Sequence, residues 1–136
     1  MENKTVIRVR YKETDQMGVV YYGNYFTWFE VGRNEFFRNL NLECGELERK
    51  DVFLPVIEAG CEYINSAKFD DEVLIKTELV ELKGVRFRLN YTIYRISDNT
   101  LIAEGFTRHA FVDSELKPIN FRRRHPEAWR TLENLL

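Results

Sequence analysis

The chain is poor in the residues that build covalent or metal frameworks: among 136 residues it has two cysteines, two histidines and three prolines. Cys44 and Cys61 are too few for a disulfide scaffold and lack metal-ligand spacing, which leaves them as packing thiols of a reducing compartment. His109 and His125 have neither the Cys or Ser neighbours of a nucleophilic triad nor ligand spacing, so no metal site is expected. His109 falls in a strand pattern and reads as a structural residue. No run approaches the ~20 apolar residues needed to cross a bilayer, and Glu2-Asn3-Lys4 opens the chain without an apolar secretory segment. Net charge is only −2, with both signs interspersed, too small a basic content for a general nucleic-acid binder. These absences predict a cytoplasmic protein with no membrane insertion and no nucleic-acid partner.

What is present is apolar and aromatic, at 44% and 14% of residues. That suffices for one domain over residues 1–136, whose folding hides about two-thirds of the chain's surface. Residues 5–11 alternate Thr5, Ile7, Val9 and Tyr11 against Arg8 and Arg10, a strand pattern. A helix is expected from about Asn24, a good N-cap residue, to residue 40. Wound at about 100° per residue, its apolar arc runs from Trp28 through Gly32, Tyr25, Phe36, Phe29, Leu40 and Phe26 to Phe37, wider than the stripe of a surface helix. Such a helix must be wrapped. Gly32 lies mid-arc, where it costs about 1 kcal/mol of helix propensity and so points to a close approach. Residues 41–51 are charged and read as a loop or short helix. Strand patterns follow at 53–66, 72–82, 85–96 and 100–112, with turns at Lys83-Gly84 and Ser97-Asp98-Asn99. Pro126 starts a C-terminal helix with Trp129, Leu132 and Leu136 on one face. One strand, one wrapped helix and four strands in hairpin succession make an α+β fold with a mainly antiparallel sheet. The open edges of such a sheet favour pairing between copies.

The connection Thr14-Asp15-Gln16-Met17-Gly18-Val19-Val20-Tyr21-Tyr22-Gly23-Asn24-Tyr25 is longer and more apolar than a solvent loop. It sets a carboxylate shortly before a helix N-terminus, where unpaired N–H groups and the helix dipole concentrate partial positive charge. Those N–H groups can polarise a carbonyl. A carboxylate beside them can attack the same carbon or deprotonate a water that does. Acyl transfer needs both parts. The plain structural alternative is an Asp that caps a turn.

Asp15-Gln16-Met17-Gly18-Val19-Val20-Tyr21-Tyr22-Gly23-Asn24-Tyr25, followed by Trp28-Phe29-Glu30 and Arg33-Asn34-Glu35-Phe36, closely resembles the signature of the 4-hydroxybenzoyl-CoA thioesterase family and of its Tol-Pal-associated acyl-CoA thioesterase branch. The dense match covers residues 8–40. The resemblance implies the hotdog fold, five antiparallel strands around one long helix. It implies homodimers joined edge to edge, often paired as dimers of dimers. It implies hydrolysis of acyl-CoA thioesters with no metal and no cofactor besides the coenzyme A of the substrate. The family's catalytic aspartate falls on Asp15, and its oxyanion contact falls on the backbone N–H of Tyr22. Gly18 matches the glycine that lets the loop turn close to substrate, and Gly23, Asn24 and Tyr25 complete the substrate-facing string. Tyr22 stands where many Tol-Pal-associated members carry histidine, so any assistance from that histidine is missing.

Other candidates carry less. Glu30, at the edge of the apolar arc, is a second-choice catalytic carboxylate, or else a partner for Arg33 or Asn34 at helical spacing. Arg33 lies inside the arc and needs a partner or a route to solvent. Lys83 and Arg86 match the positions at which the family contacts the CoA nucleotide, often across a dimer interface; on pattern alone they are equally a solvated hairpin. Arg122-Arg123-Arg124-His125 is the strongest basic run. A dehydratase of similar fold would need a histidine near residues 15–35, and there is none. A non-catalytic acyl-CoA-binding scaffold is the reading from another class.

Overall fold

A computed structural model describes residues 1–136. Five strands form one sheet: β1 (Glu2–Arg8), β2 (Val56–Tyr63), β3 (Glu72–Lys83), β4 (Arg86–Arg95) and β5 (Thr100–Ala110). The order across the sheet is β1-β3-β4-β5-β2, and every pairing is antiparallel. Helix α1 (Asn24–Asn39) lies against one face, followed by the short α2 (Cys44–Arg49); α3 (Phe121–Arg124) and α4 (Pro126–Glu133) close the chain. This is the hotdog arrangement.

The wide apolar arc of α1 is explained by what it buries: Tyr25, Trp28, Phe29, Gly32, Phe36 and Phe37 all face inward. Phe29 stacks on Tyr91 of β4, with centroids 4.4 Å apart and planes 11° from parallel. At Gly32 the helix comes so close that an added Cβ would lie 2.6 Å from Thr77 Oγ1 and 2.8 Å from Ile75 Cγ2. The expected close approach is therefore to β3 side chains. Phe26, inside the arc but on the first turn of the helix, is 38% exposed and belongs to the surface.

Beyond α1 an aromatic file runs through the core. Phe37 meets Phe87 edge-on, Phe87 stacks on His109, and Phe111 stacks on Phe121 at 4.4 Å and 3°. Trp129 of α4 closes the file against Phe111. His109 is fully buried, with Nδ1 2.9 Å from the Leu54 carbonyl and Nε2 2.8 Å from Thr107 Oγ1. A carbonyl only accepts, so Nδ1 carries the proton and Nε2 accepts from Thr107. Thr107 Oγ1 then accepts from the Tyr91 hydroxyl at 2.6 Å, which in turn accepts from Arg33 at 3.5 Å. Burial, with the Arg33 charge adding to it and the Leu54 bond opposing it, pulls the His109 imidazole down to about 4. The structural reading of His109 fits this place.

Four sequence expectations shift. The first strand is Glu2–Arg8, not 5–11; Val9 is buried, but a 3-10 turn at Tyr11–Glu13 leaves Tyr11 exposed, so the alternation outran the strand. The strands are not in simple hairpin succession: β2 crosses to pair with β5 at the far edge. The β3–β4 turn is Gly84-Val85, flanked by paired Lys83 and Arg86. Leu136 lies past the end of α4 and is 60% exposed, while Trp129 and Leu132 are buried as expected. No helix is long and apolar enough to cross a membrane.

Candidate active site

Between β1 and α1 the chain folds into a loop closed by its own backbone. Thr14 and Val20 form an isolated antiparallel bridge. Asp15 N–H donates to the Val19 carbonyl and Gly18 N–H to the Asp15 carbonyl, each at 2.9 Å. Gly18 has φ +80°, a left-handed turn that suits glycine. Val20 N–H donates to the Ala67 carbonyl at 2.9 Å, which pins the loop to the segment entering β3. At the tip, Asp15 Oδ1 accepts Met17 N–H at 2.9 Å. That bond is the turn-capping role, and it occupies only one of the two carboxylate oxygens.

The start of α1 is left unfinished. Its N-cap is Gly23, which has no side chain to cap with. Asn24, expected to cap, is the first helical residue; its amide turns away and donates to the Glu13 carbonyl at 2.8 Å. Asn24 N–H reaches the Tyr21 carbonyl, but the N–H groups of Tyr22 and Gly23 have no protein acceptor. They are donors held at the positive end of a 16-residue helix.

Asp15, Tyr22 and Tyr25 share one cavity of ≈ 240 Å³ with Met17, Val19, Val20 and the strand-end residues Tyr63 to Ser66. Its walls are aromatic: Tyr63 meets Tyr25 edge-on at 5.2 Å and Tyr22 at 6.2 Å. The Tyr63 hydroxyl donates to the Tyr22 carbonyl at 3.2 Å. Burial, with Cys61 and the neighbouring phenols, pushes Tyr63 up to about 12, so it stays a donor at neutral pH. Burial likewise raises Tyr25. A carboxylate, the free Tyr22 N–H and an aromatic wall in one cleft can bind and polarise a carbonyl while a nucleophile meets its carbon.

The other candidates lie elsewhere. Glu30 and Arg33 line a separate cavity of ≈ 180 Å³ with Asn34, Cys44 and Leu54. Glu30 is paired with neither Arg33 nor Asn34; Arg33 spends its one hydrogen bond on the Tyr91 hydroxyl. Lys83 and Arg86 sit at the opposite end of the sheet. β1 leads into the Asp15 loop from beside Glu72, and the 12-residue β3 separates Glu72 from Lys83, roughly 35 Å at 3.3 Å per residue. Arg122, Arg123 and Arg124 are exposed on α3, away from the cleft. No three His, Cys, Asp or Glu side chains are grouped to hold a metal ion.

Glu13 is the residue that sequence reasoning missed. It is only 5% exposed. Its Oε1 accepts Arg10 N–H at 2.8 Å and its Oε2 accepts the Trp28 indole N–H at 2.9 Å. Burial tends to raise its carboxyl, but the Arg10 and Trp28 bonds together hold it below the usual carboxylate range. One signal was available: Trp28 sits on the inward arc, and a buried indole N–H needs an acceptor.

Residues 9–128 match the thioesterase-like superfamily. YneP of Bacillus subtilis (strain 168) is 35% identical over 130 residues, covering 95% of this chain and 93% of its own length. The acyl-CoA thioesterase YbgC of Haemophilus influenzae (strain ATCC 51907 / DSM 11121 / KW20 / Rd) is 32% identical over 130 residues, 93% of each chain. Among solved structures, the DHNA-CoA thioesterase of Staphylococcus aureus superposes with a TM-score of 0.93 at 30% identity, over 98% of this chain and 89% of that one.

Proposed function

The chain belongs to the thioesterase-like superfamily and is a thioester hydrolase, and we propose that it cleaves acyl-CoA thioesters with Asp15 as the catalytic carboxylate and the Tyr22 N–H as oxyanion donor. The observation that carries this is the cleft itself: it is lined by Asp15, whose carboxylate has one oxygen uncommitted, and by Tyr22, whose N–H, like that of the adjoining Gly23, has no protein acceptor. The thioester carbonyl oxygen accepts from Tyr22, with Gly23 N–H as a second donor. Negative charge grows on that oxygen as the carbonyl carbon becomes tetrahedral, where fixed donors at a helix start stabilise it most. Asp15 either attacks the carbon, expelling CoA thiolate and leaving a mixed anhydride for water, or takes a proton from the attacking water. Neither route uses a metal or redox cofactor. The acyl group lies against Tyr25, Tyr63 and Val20.

A second copy completes the site in this reading. Strand β2 is an edge with one unpaired side, and Val56, Ile57, Tyr63 and Ile64 are exposed along it. Exposed apolar edges invite strand pairing. The register sets Val56 beside His109 and Ala110 beside Arg86, so the N-terminal end of β2 shares an end of the sheet with Lys83 and Arg86. Antiparallel pairing of β2 with its symmetry mate brings that end of the partner to this chain's Tyr63–Ser66 wall. The partner's Lys83 and Arg86 then lie on the side from which a CoA nucleotide leaves the cleft. A homodimer follows from this use of β2; pairing of such dimers would need a second surface.

The test is thiol release from benzoyl, short-chain and long-chain CoA esters by the wild type and by a folded Asp15→Asn variant. Turnover that falls by about 10³-fold in the variant supports the assignment. Binding of CoA esters with no turnover in the wild type leaves an acyl-CoA-binding scaffold instead, with Asp15 as a turn cap.

A further inference from the structure

We propose that Glu13 is a positioning residue for the hydrolysis: a buried carboxylate that holds the Asp15 loop against the start of α1, so that Asp15 and the free N–H groups of Tyr22 and Gly23 keep one mutual geometry. The inference rests on the catalytic reading of Asp15 given above.

Glu13 ties four places together. Its side chain takes Arg10 N–H on one oxygen and the Trp28 indole on the other. Its main-chain carbonyl takes Tyr21 N–H at 2.9 Å and the Asn24 amide at 2.8 Å. Tyr21 precedes the proposed oxyanion donors, Asn24 and Trp28 lie on the first two turns of α1, and Asp15 is two residues beyond Glu13. Both halves of the chemistry therefore hang from one residue. Nothing else joins the loop entrance to the helix in this way: Thr14 bonds only back to Tyr11, and Val20 bonds to Ala67.

A buried charge is a costly tether. Desolvating a carboxylate costs several kcal/mol, and its hydrogen bonds offset that only when every oxygen is served. An apolar residue would anchor the loop more cheaply but would leave its angle to the helix unspecified. A carboxylate with two separate donors fixes direction as well as depth. In catalysis direction matters, because a displacement of about 1 Å at the reacting groups costs on the order of 10²-fold.

Glutamine has the same shape but only one acceptor oxygen. In Glu13→Gln an amide N–H must therefore face either Arg10 N–H or the Trp28 indole, donor against donor. The experiment measures kcat, KM and melting temperature for the wild type, Asp15→Asn, Glu13→Gln, Trp28→Phe and the Glu13→Gln/Trp28→Phe double variant, on the best CoA ester of the panel. Expected for Glu13→Gln is a kcat lower by about 10- to 100-fold with KM within about threefold, in protein that still melts cooperatively. The double variant recovers part of that kcat, because phenylalanine removes the opposing donor and the two contacting sites couple; a merely structural role lowers the melting temperature and leaves the kcat of folded protein unmoved. Wild-type kcat in folded Glu13→Gln overturns the inference, as does a double variant with simply additive loss. If Glu13→Gln does not fold, Trp28→Phe carries the test alone: a kcat about three- to tenfold lower at unchanged KM supports positioning, and an unchanged kcat overturns it. Full turnover in Asp15→Asn overturns the site reading itself, whatever Glu13 does, so the two failures are distinguishable.

Discussion

The two ends of α1 are built on opposite plans. At its first turn the N-cap is a glycine, the neighbouring asparagine spends its amide elsewhere, and the N–H groups of Tyr22 and Gly23 are unpaired. Tyr22 and Met17 beside them are 61% and 80% exposed. At its last turn the chain folds back onto the helix and takes up the Phe37 and Arg38 carbonyls. Leu40 and Leu42 N–H groups both return to the Phe37 carbonyl, Asn41 N–H returns to Arg38, and Asn41 takes a left-handed φ of 59°, as helix C-caps commonly do. There the helix sits on Phe87 and the aromatic file that ends at Trp129. On the proposed site, labour is divided along one element: the closed end supplies stability, and the open end keeps donors free for a ligand. Substitutions at the two ends should therefore separate cleanly in what they damage.

The largest effect belongs to the open end. Asp15→Asn is expected to remove about 10³-fold of turnover, equivalent to about 4 kcal/mol of transition-state stabilisation, while leaving the melting temperature within a few degrees. A comparable loss of melting temperature would mean that the Asp15 loop is structural and the division of labour false. At the closed end, Phe111→Ala empties the centre of the file, where the ring is 1% exposed between Phe87, Phe121 and Trp129. A loss of about 3–5 kcal/mol is expected, seen as a melting temperature lower by roughly 10–20 °C. The kcat of the folded fraction should stay near wild type when measured well below the melt.

Acid should unfold the closed end first. The buried His109 has its folded pKa depressed to about 4 from 6.5. Below pH 6.5 the unfolded chain takes up a proton there that the folded chain refuses. The contribution of His109 is therefore complete above about pH 6.5 and is lost as pH falls toward 4, with about 2 kcal/mol gone by pH 5. Chemical denaturation at pH 7 and pH 5 measures it. His109→Gln, which keeps one donor and one acceptor, should shrink the difference between the two pH values; an unchanged difference would remove His109 as its source.

How much of this contrast was legible in the sequence depends on what kind of signal carries it. The wrapped helix was legible because eight apolar positions, Trp28 to Phe37, repeat at helical spacing over half the circumference. The Asp15 string was legible as an unusual apolar loop ending at a helix start. The Glu13 clamp was not: a lone acid beside Thr14 gives no mark of burial, and its four donors come from residues up to 15 positions away. The crossing of β2 to the far edge was hidden for a related reason, since alternation tells which face a residue takes and not which strand lies beside it. Phe26 and Leu136 misled in the other direction, as apolar residues whose angle suited the core but whose place on a first helical turn or past a helix end exposes them.

Gly32 decides where the closed region of α1 begins. Alanine there should gain about 1 kcal/mol of helix propensity, so any net loss measures the tightness of the helix–sheet contact. The atoms in its way are Thr77 Oγ1 and Ile75 Cγ2, both on fully buried β-branched residues of β3 that cannot rotate aside. Overpacking of this kind costs about 1–3 kcal/mol, and the expected net effect of Gly32→Ala is a destabilisation of up to about 2 kcal/mol by denaturant titration. Thr77→Ala should rescue part of it, because the Thr77 hydroxyl is buried without a hydrogen-bond partner and its removal clears one of the two atoms that the new methyl meets. A Gly32→Ala variant as stable as wild type would show that the middle of α1 yields, and would confine the closed plan to the turns around Phe36 and Phe37.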